Sequence, residues 1–74
     1  MIENIIEIIL NYVDIDPSEI TEDTFLRKDL GMSSLDMINL AVEAEDTFGI
    51  SIPNSEIINI STVGELIAYI EKNK

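Results

Sequence analysis

The side chains able to do chemistry in this 74-residue chain are hydroxyls and carboxylates, because it has neither histidine nor cysteine. No Ser-His-Asp or Cys-His arrangement, thiolate nucleophile or zinc cluster can be built from it. The carboxylates are numerous, but they lie on a solvated helix face, where nothing would raise one pKa for acid catalysis. Gly31, Gly49 and Gly64 stand apart, so there is no glycine-rich phosphate loop. Asp14-Ile-Asp16 opens like a calcium loop, yet Glu19 stands where that loop needs glycine, and Phe25 where it needs its last ligand. These absences argue against a self-contained catalyst and direct attention to Ser33 and Ser34, two adjacent hydroxyls ahead of an acidic helical segment.

Ser33 suits the N-cap of a helix, with Asp36 favourable in the first turn three residues later. Ser34 then falls on that first turn and can show its hydroxyl to solvent while its neighbour caps. A phosphodiester on such a hydroxyl would sit against free backbone N–H groups and the positive end of the helix dipole. A helix C-terminus would repel the same group.

The segment Asp29–Phe48, DLGMSSLDMINLAVEAEDTF, must position these serines. It reads as a polar turn at Gly31 followed by a helix of about four turns, with Gly49 as its left-handed stop. At about 3.6 residues per turn, Met37, Leu40, Ala41, Ala44 and Phe48 share one side, which we take as the core face. Leu35, Ile38 and Val42 share the other, with Asp36, Asn39, Glu43, Glu45 and Asp46 beside or around them. An apolar strip rimmed by carboxylates suggests a docking surface for a partner with an apolar groove and a basic rim.

The remaining segments supply the body. Met1 to about Asp14 predicts an amphipathic helix with Ile2, Ile5, Ile6, Ile9 and Val13 as its core stripe, broadened by Ile8, Leu10 and Tyr12, while Glu3, Glu7 and Asn11 face water. Ile15–Ser33 reads as a long ordered loop, with Pro17 excluding regular helix and Ser18 or Thr21 capping a short turn. Ile20, Phe25, Leu26 and Leu30 would pin that loop across the helix ends. Arg27 and Lys28, the only basic residues outside the C-terminal tail, are expected in a solvated turn or in salt bridges with nearby acids. Ile50–Pro53 reads as an extended connector. Asn54 or Ser55 would cap a short helix over Glu56 to about Ile60. A final helix starts at Ser61 or Thr62, where Thr62-Val-Gly-Glu65 fits a capping box. Its inward face is Val63, Leu66, Ile67 and Ile70, and Lys72 and Lys74 suit its C-terminal end. Three longer helices and one short one predict an all-α fold, a small four-helix bundle.

A chain of this length predicts a single domain, residues 1–74. Fifteen acidic residues against four basic ones give a net charge of −11, which disfavours nucleic acid and anionic membranes as partners. Basic protein surfaces or divalent cations are the natural complement. No basic region precedes an apolar run at the N-terminus and no run approaches a membrane span, so we expect a soluble cytoplasmic protein.

Asp29-Leu-Gly-Met-Ser-Ser-Leu-Asp36 resembles the attachment motif of acyl carrier proteins, D-L-G-x-D-S-L. The resemblance continues through the acidic helix to Phe48, Ile52-Pro53 and the Ser61-Thr62-Val63 opening of the last helix, about two thirds of the chain. It implies that Ser34 carries a covalent 4′-phosphopantetheine arm, whose thiol would hold an acyl group as a thioester. It implies that Leu35, Asp36, Ile38, Val42, Glu43, Glu45 and Asp46 dock partner enzymes. Those partners would be a phosphopantetheinyl transferase and acyl-transfer and condensing enzymes with basic docking surfaces, served by a monomer of this chain. The family pattern has Asp where this chain has Ser33, and an acidic residue is common where Asn39 stands. Two alternatives have other cargo or none: a specialised carrier for an aminoacyl, polyketide or nonribosomal peptide pathway, and an acidic protein-binding adaptor whose serines only cap.

So much negative charge on so small a body repels itself. Adding sodium chloride or magnesium chloride should therefore raise the melting temperature in a thermal scan. An unchanged or lower midpoint would contradict self-repulsion.

Overall fold

The computed structural model describes residues Met1–Lys74 as four helices in the order α1 (Ile2–Ile9), α2 (Ser34–Phe48), α3 (Asn54–Ile57) and α4 (Val63–Asn73). The class is the expected all-α bundle. Helix α1 packs on α2 and α4, and α2 also packs on α3. The core is one cluster of buried aliphatic side chains drawn from every helix and from the connections between them. No helix is long and apolar enough to cross a membrane.

Helix α2 has the expected bounds for reasons visible in its ends. Ser33 adopts an extended backbone and its hydroxyl accepts from Asp36 N, while the Asp36 carboxylate accepts from Ser33 N at 3.1 Å. That reciprocal pair satisfies two of the N–H groups a helix start leaves free. At the other end Gly49 takes φ +68° and donates to the Glu45 carbonyl at 2.8 Å, the left-handed stop that a residue with a Cβ adopts only at a cost. The same device opens α4, where Thr62 accepts from Glu65 N and the Glu65 carboxylate accepts from both Ser61 N and Thr62 N. Met37, Leu40, Ala41 and Ala44 are buried as expected, and Phe48 is half-buried.

Three boundaries differ from the sequence reading. Helix α1 ends at Ile9 instead of near Asp14. The chain then tightens into i−3 turns, with Asn11 N donating to Ile8 O and Tyr12 N to Ile9 O. The turns swing Asn11 and Tyr12 toward α2, where both donate to the Glu43 carboxylate. The buried stripe accordingly centres on Ile5, Ile8 and Ile9, with Ile2, Ile6 and Val13 at its margin. Helix α3 begins at Asn54, with Pro53 as its cap and no side-chain capping bond, and has only four residues. In the long loop, the 3-10 turn Pro17–Glu19 is capped by Asp16, whose carboxylate accepts from Ser18 N at 2.9 Å.

The loop is ordered, as expected, but its anchors are partly backbone. Leu26 N donates to Ser61 O at 2.9 Å, Val63 N to Thr24 O at 3.0 Å and Gly64 N to Glu22 O at 2.8 Å. The first two form an isolated antiparallel bridge between Phe25 and Thr62, and the third extends the contact. A Cβ at Gly64 would lie 3.0 Å from the Glu22 carbonyl oxygen, so glycine permits this close approach. Ile20 and Leu26 are buried and Leu30 half-buried, but Phe25 is exposed instead of pinning the loop.

The Tyr12–Glu43 bond ties the end of α1 to the middle of α2 and gives a pH test. Burial first, then the hydrogen bond and the negative charge of Glu43, push the Tyr12 phenol up from 10.0 to about 12. The raised pKa means that its contribution is intact below pH 10 and is lost as pH climbs through about 12. Urea unfolding midpoints should therefore fall across that window more steeply for the native chain than for Tyr12→Phe. Parallel pH profiles would exclude the contribution.

Candidate functional site

The N-terminus of α2 is built so that two neighbouring serines have different tasks. Ser33 is held inside the capping box. Ser34, the first helical residue, is exposed and has no part in the cap. Its Oγ accepts a hydrogen bond from Arg27 Nη2 at 3.1 Å. The Ser34 and Leu35 N–H groups precede the helical ladder and have no acceptor within the chain. Gly31, at φ +69°, and buried Met32 bring the preceding loop round to this end.

For Arg27 the sequence suggests a solvated turn or a salt bridge with a neighbouring acid. It makes no such bridge; the single ion pair in the molecule joins the N-terminal ammonium and Glu3. The adjacent Asp29 carboxylate is engaged elsewhere, accepting from Phe25 N at 2.9 Å. Lys28 lies over the Phe25 ring, 5.5 Å from its centroid. Two cations therefore stand unpaired by carboxylates in a strongly acidic chain, one touching the Ser34 hydroxyl. A guanidinium cannot take a proton from that hydroxyl, but its charge favours the deprotonated oxygen and would pair with a phosphate placed there. No sequence pattern announces the Arg27–Ser34 contact; the turn at Gly31 creates it.

The expected docking residues separate into two groups. Leu35 and Val42 are 65% and 50% exposed, and Asp46 is exposed along the same side. Ile38 is half-buried and packs against the core, so it contributes only an edge to the strip. Asp36 is half-buried in the capping box. The two remaining carboxylates turn back to the body. Glu43 accepts from Asn11 at 3.3 Å and from Tyr12. Glu45 accepts from Ile52 N at 2.6 Å, closing the connector after α2. No cluster of three or more His, Cys, Asp or Glu side chains is arranged to hold a metal ion.

Residues 3–70 match the phosphopantetheine attachment site family. The chain belongs to the acyl carrier protein family. It is 38% identical over 72 residues to the acyl carrier protein of Wolinella succinogenes, covering 97% of this chain and 95% of that protein. It is 42% identical over 72 residues to the meromycolate extension acyl carrier protein of Mycobacterium tuberculosis. That match covers 97% of this chain but spans 63% of the mycobacterial protein. Among solved structures, the acyl carrier protein from Enterococcus faecalis superposes with a TM-score of 0.84 at 30% identity, over 99% of this chain and 92% of that one. Membership brings with it a covalent 4′-phosphopantetheine group. The α2 N-terminus fits such a group: an exposed hydroxyl, free N–H groups and a guanidinium are all present there.

The inward turn of Glu45 gives it a structural task that Asp46 lacks. Glu45→Ala leaves the Ile52 N–H without its acceptor and should lower unfolding free energy by about 1–2 kcal/mol. Asp46→Asn, at a free surface position, should change it by less than about 0.5 kcal/mol. Urea unfolding of both variants checks the contrast.

Proposed function

We propose that this chain is a single carrier domain that presents acyl groups to enzymes from a phosphopantetheine arm on Ser34. The observation that carries the proposal is the division of labour at the start of α2. Ser33 caps, while Ser34 is exposed with its hydroxyl beside Arg27. The arm supplies a terminal thiol able to hold an acyl group as a thioester, a group that the chain, without cysteine, lacks. The protein's own residues anchor that arm, present it and identify the carrier to its partners. It acts as a carrier, with catalysis left to the enzymes it serves.

Those partners are a phosphopantetheinyl transferase and acyl-transfer and condensing enzymes, met by a cytoplasmic monomer. Leu35 and Val42 offer the apolar contact, Ile38 its edge, and Asp36 and Asp46 the flanking negative charge. Glu43 and Glu45 add to the field from internally bonded positions. A surface of this composition selects a basic rim around an apolar groove and speeds encounter with it. Relatives named for acyl carriage and meromycolate extension support a fatty acyl cargo. A carrier dedicated to an aminoacyl or polyketide unit is the second reading, favoured by Ser33 where the family motif has Asp.

Incubation with coenzyme A and a transferase, followed by intact-mass measurement, tests the attachment residue. Native protein and Ser33→Ala should both gain the mass of one arm, and Ser34→Ala none. A full gain by Ser34→Ala would overturn the assignment.

A further inference from the structure

Beside the attachment point lies a cavity of about 220 Å³, lined by Phe25, Arg27, Lys28, Ile58, Ile60 and Ser61. It sits where the long loop meets the turn between α3 and α4, against the Phe25–Thr62 bridge. Phe25 and Ile58 are 40% and 43% exposed there. Neither is needed for the core, and both are large apolar groups facing solvent.

We propose that this cavity is a resting groove for the chain's own phosphopantetheine arm, with Arg27 as its anchor. The inference rests on Ser34 being the attachment residue. Three observations select this occupant. Arg27 both touches Ser34 Oγ and lines the cavity, so the groove begins within one side chain of the attachment oxygen. The net charge of the chain is −11, yet Arg27 and Lys28 have no carboxylate partner; a phosphodiester on Ser34 supplies the missing anion at the groove's mouth. The lining also suits the portion of the arm beyond its phosphodiester: Phe25, Ile58 and Ile60 for methyl and methylene groups, Ser61 and Lys28 for hydroxyl and amide groups.

The size sets a limit. The groove is smaller than the roughly 300–1,000 Å³ of pockets that enclose a drug-sized ligand, so it suits part of an arm and does not enclose a long acyl chain. The groove therefore holds the arm close to the body and leaves longer cargo outside it. Arg27 is a positioning residue here: it sets where the arm rests and takes no part in bond making.

Backbone amide spectra of the full chain before and after arm attachment test this, with intact mass scoring attachment separately. Two sets of amides should shift on attachment: Ser33–Met37 next to the bond, and Phe25–Lys28 with Ile58–Ser61 around the groove. Arg27→Gln and Phe25→Ser should each reduce the second set at least twofold while the first set still shifts on attachment, and Arg27→Lys should keep most of the second. Each variant's spectrum before modification verifies its fold; Arg27 is exposed and tolerates the change. Shifts confined to Ser33–Met37, or a groove set insensitive to Arg27→Gln, would overturn the groove while attachment stands. A chain that gains no mass at Ser34 would overturn both.

Discussion

Between Ile20 and Ser33 the backbone has no helix to satisfy its amides, and the site depends on where those amides find acceptors. A loop packed against a core cannot leave N–H groups unpaired without a cost comparable to a lost hydrogen bond. Here the loop borrows from α4. Leu26 donates to Ser61, Val63 and Gly64 donate back to Thr24 and Glu22, and Asp29 turns inward to take Phe25 N. These bonds fix the loop in one path, bury Leu26, leave Phe25 outside and carry Arg27 to the start of α2. The loop thus belongs to the site as much as the helix does.

Electrostatics completes the arrangement. The acidic residues are not spread as an undifferentiated shell: several are engaged in capping or closing the backbone. Asp16, Asp29, Asp36, Glu45 and Glu65 each accept from one or more backbone N–H groups. Burying or ordering a carboxylate against N–H groups compensates its desolvation, so the fold tolerates high negative charge. The same engagement leaves the two loop cations without acid partners.

Much of this is legible in the sequence wherever the deciding interaction is local. The Thr62–Glu65 capping box, the Ser33 cap, the Gly49 stop, the buried face of α2 and the Ser33–Ser34 division arise from local neighbours, though the return bond that Asp36 accepts from Ser33 N is seen only in the structure. The features that are not legible depend on contacts between distant segments. Helix α1 stops early because Asn11 and Tyr12 reach Glu43, 32 and 31 residues away. Phe25 looks like a core anchor by type, and only the bridge to Thr62 turns it outward. Glu45 sits on the expected rim by helical phase, but Ile52 comes soon enough after Gly49 to capture it. Helix α3 is too short for periodicity to locate its start.

The Glu45–Ile52 contact ties the side of α2 to the interior. One carboxylate oxygen takes that amide and so closes the connector into α3, while the second has no partner within the chain. The bond holds the segment that carries buried Ile52 and, just beyond it, Ile57. By thermodynamic reciprocity, a cation paired with that second oxygen and the bonded connector would each bias the other. One carboxylate thus joins the longest helix to the connector ahead of the shortest.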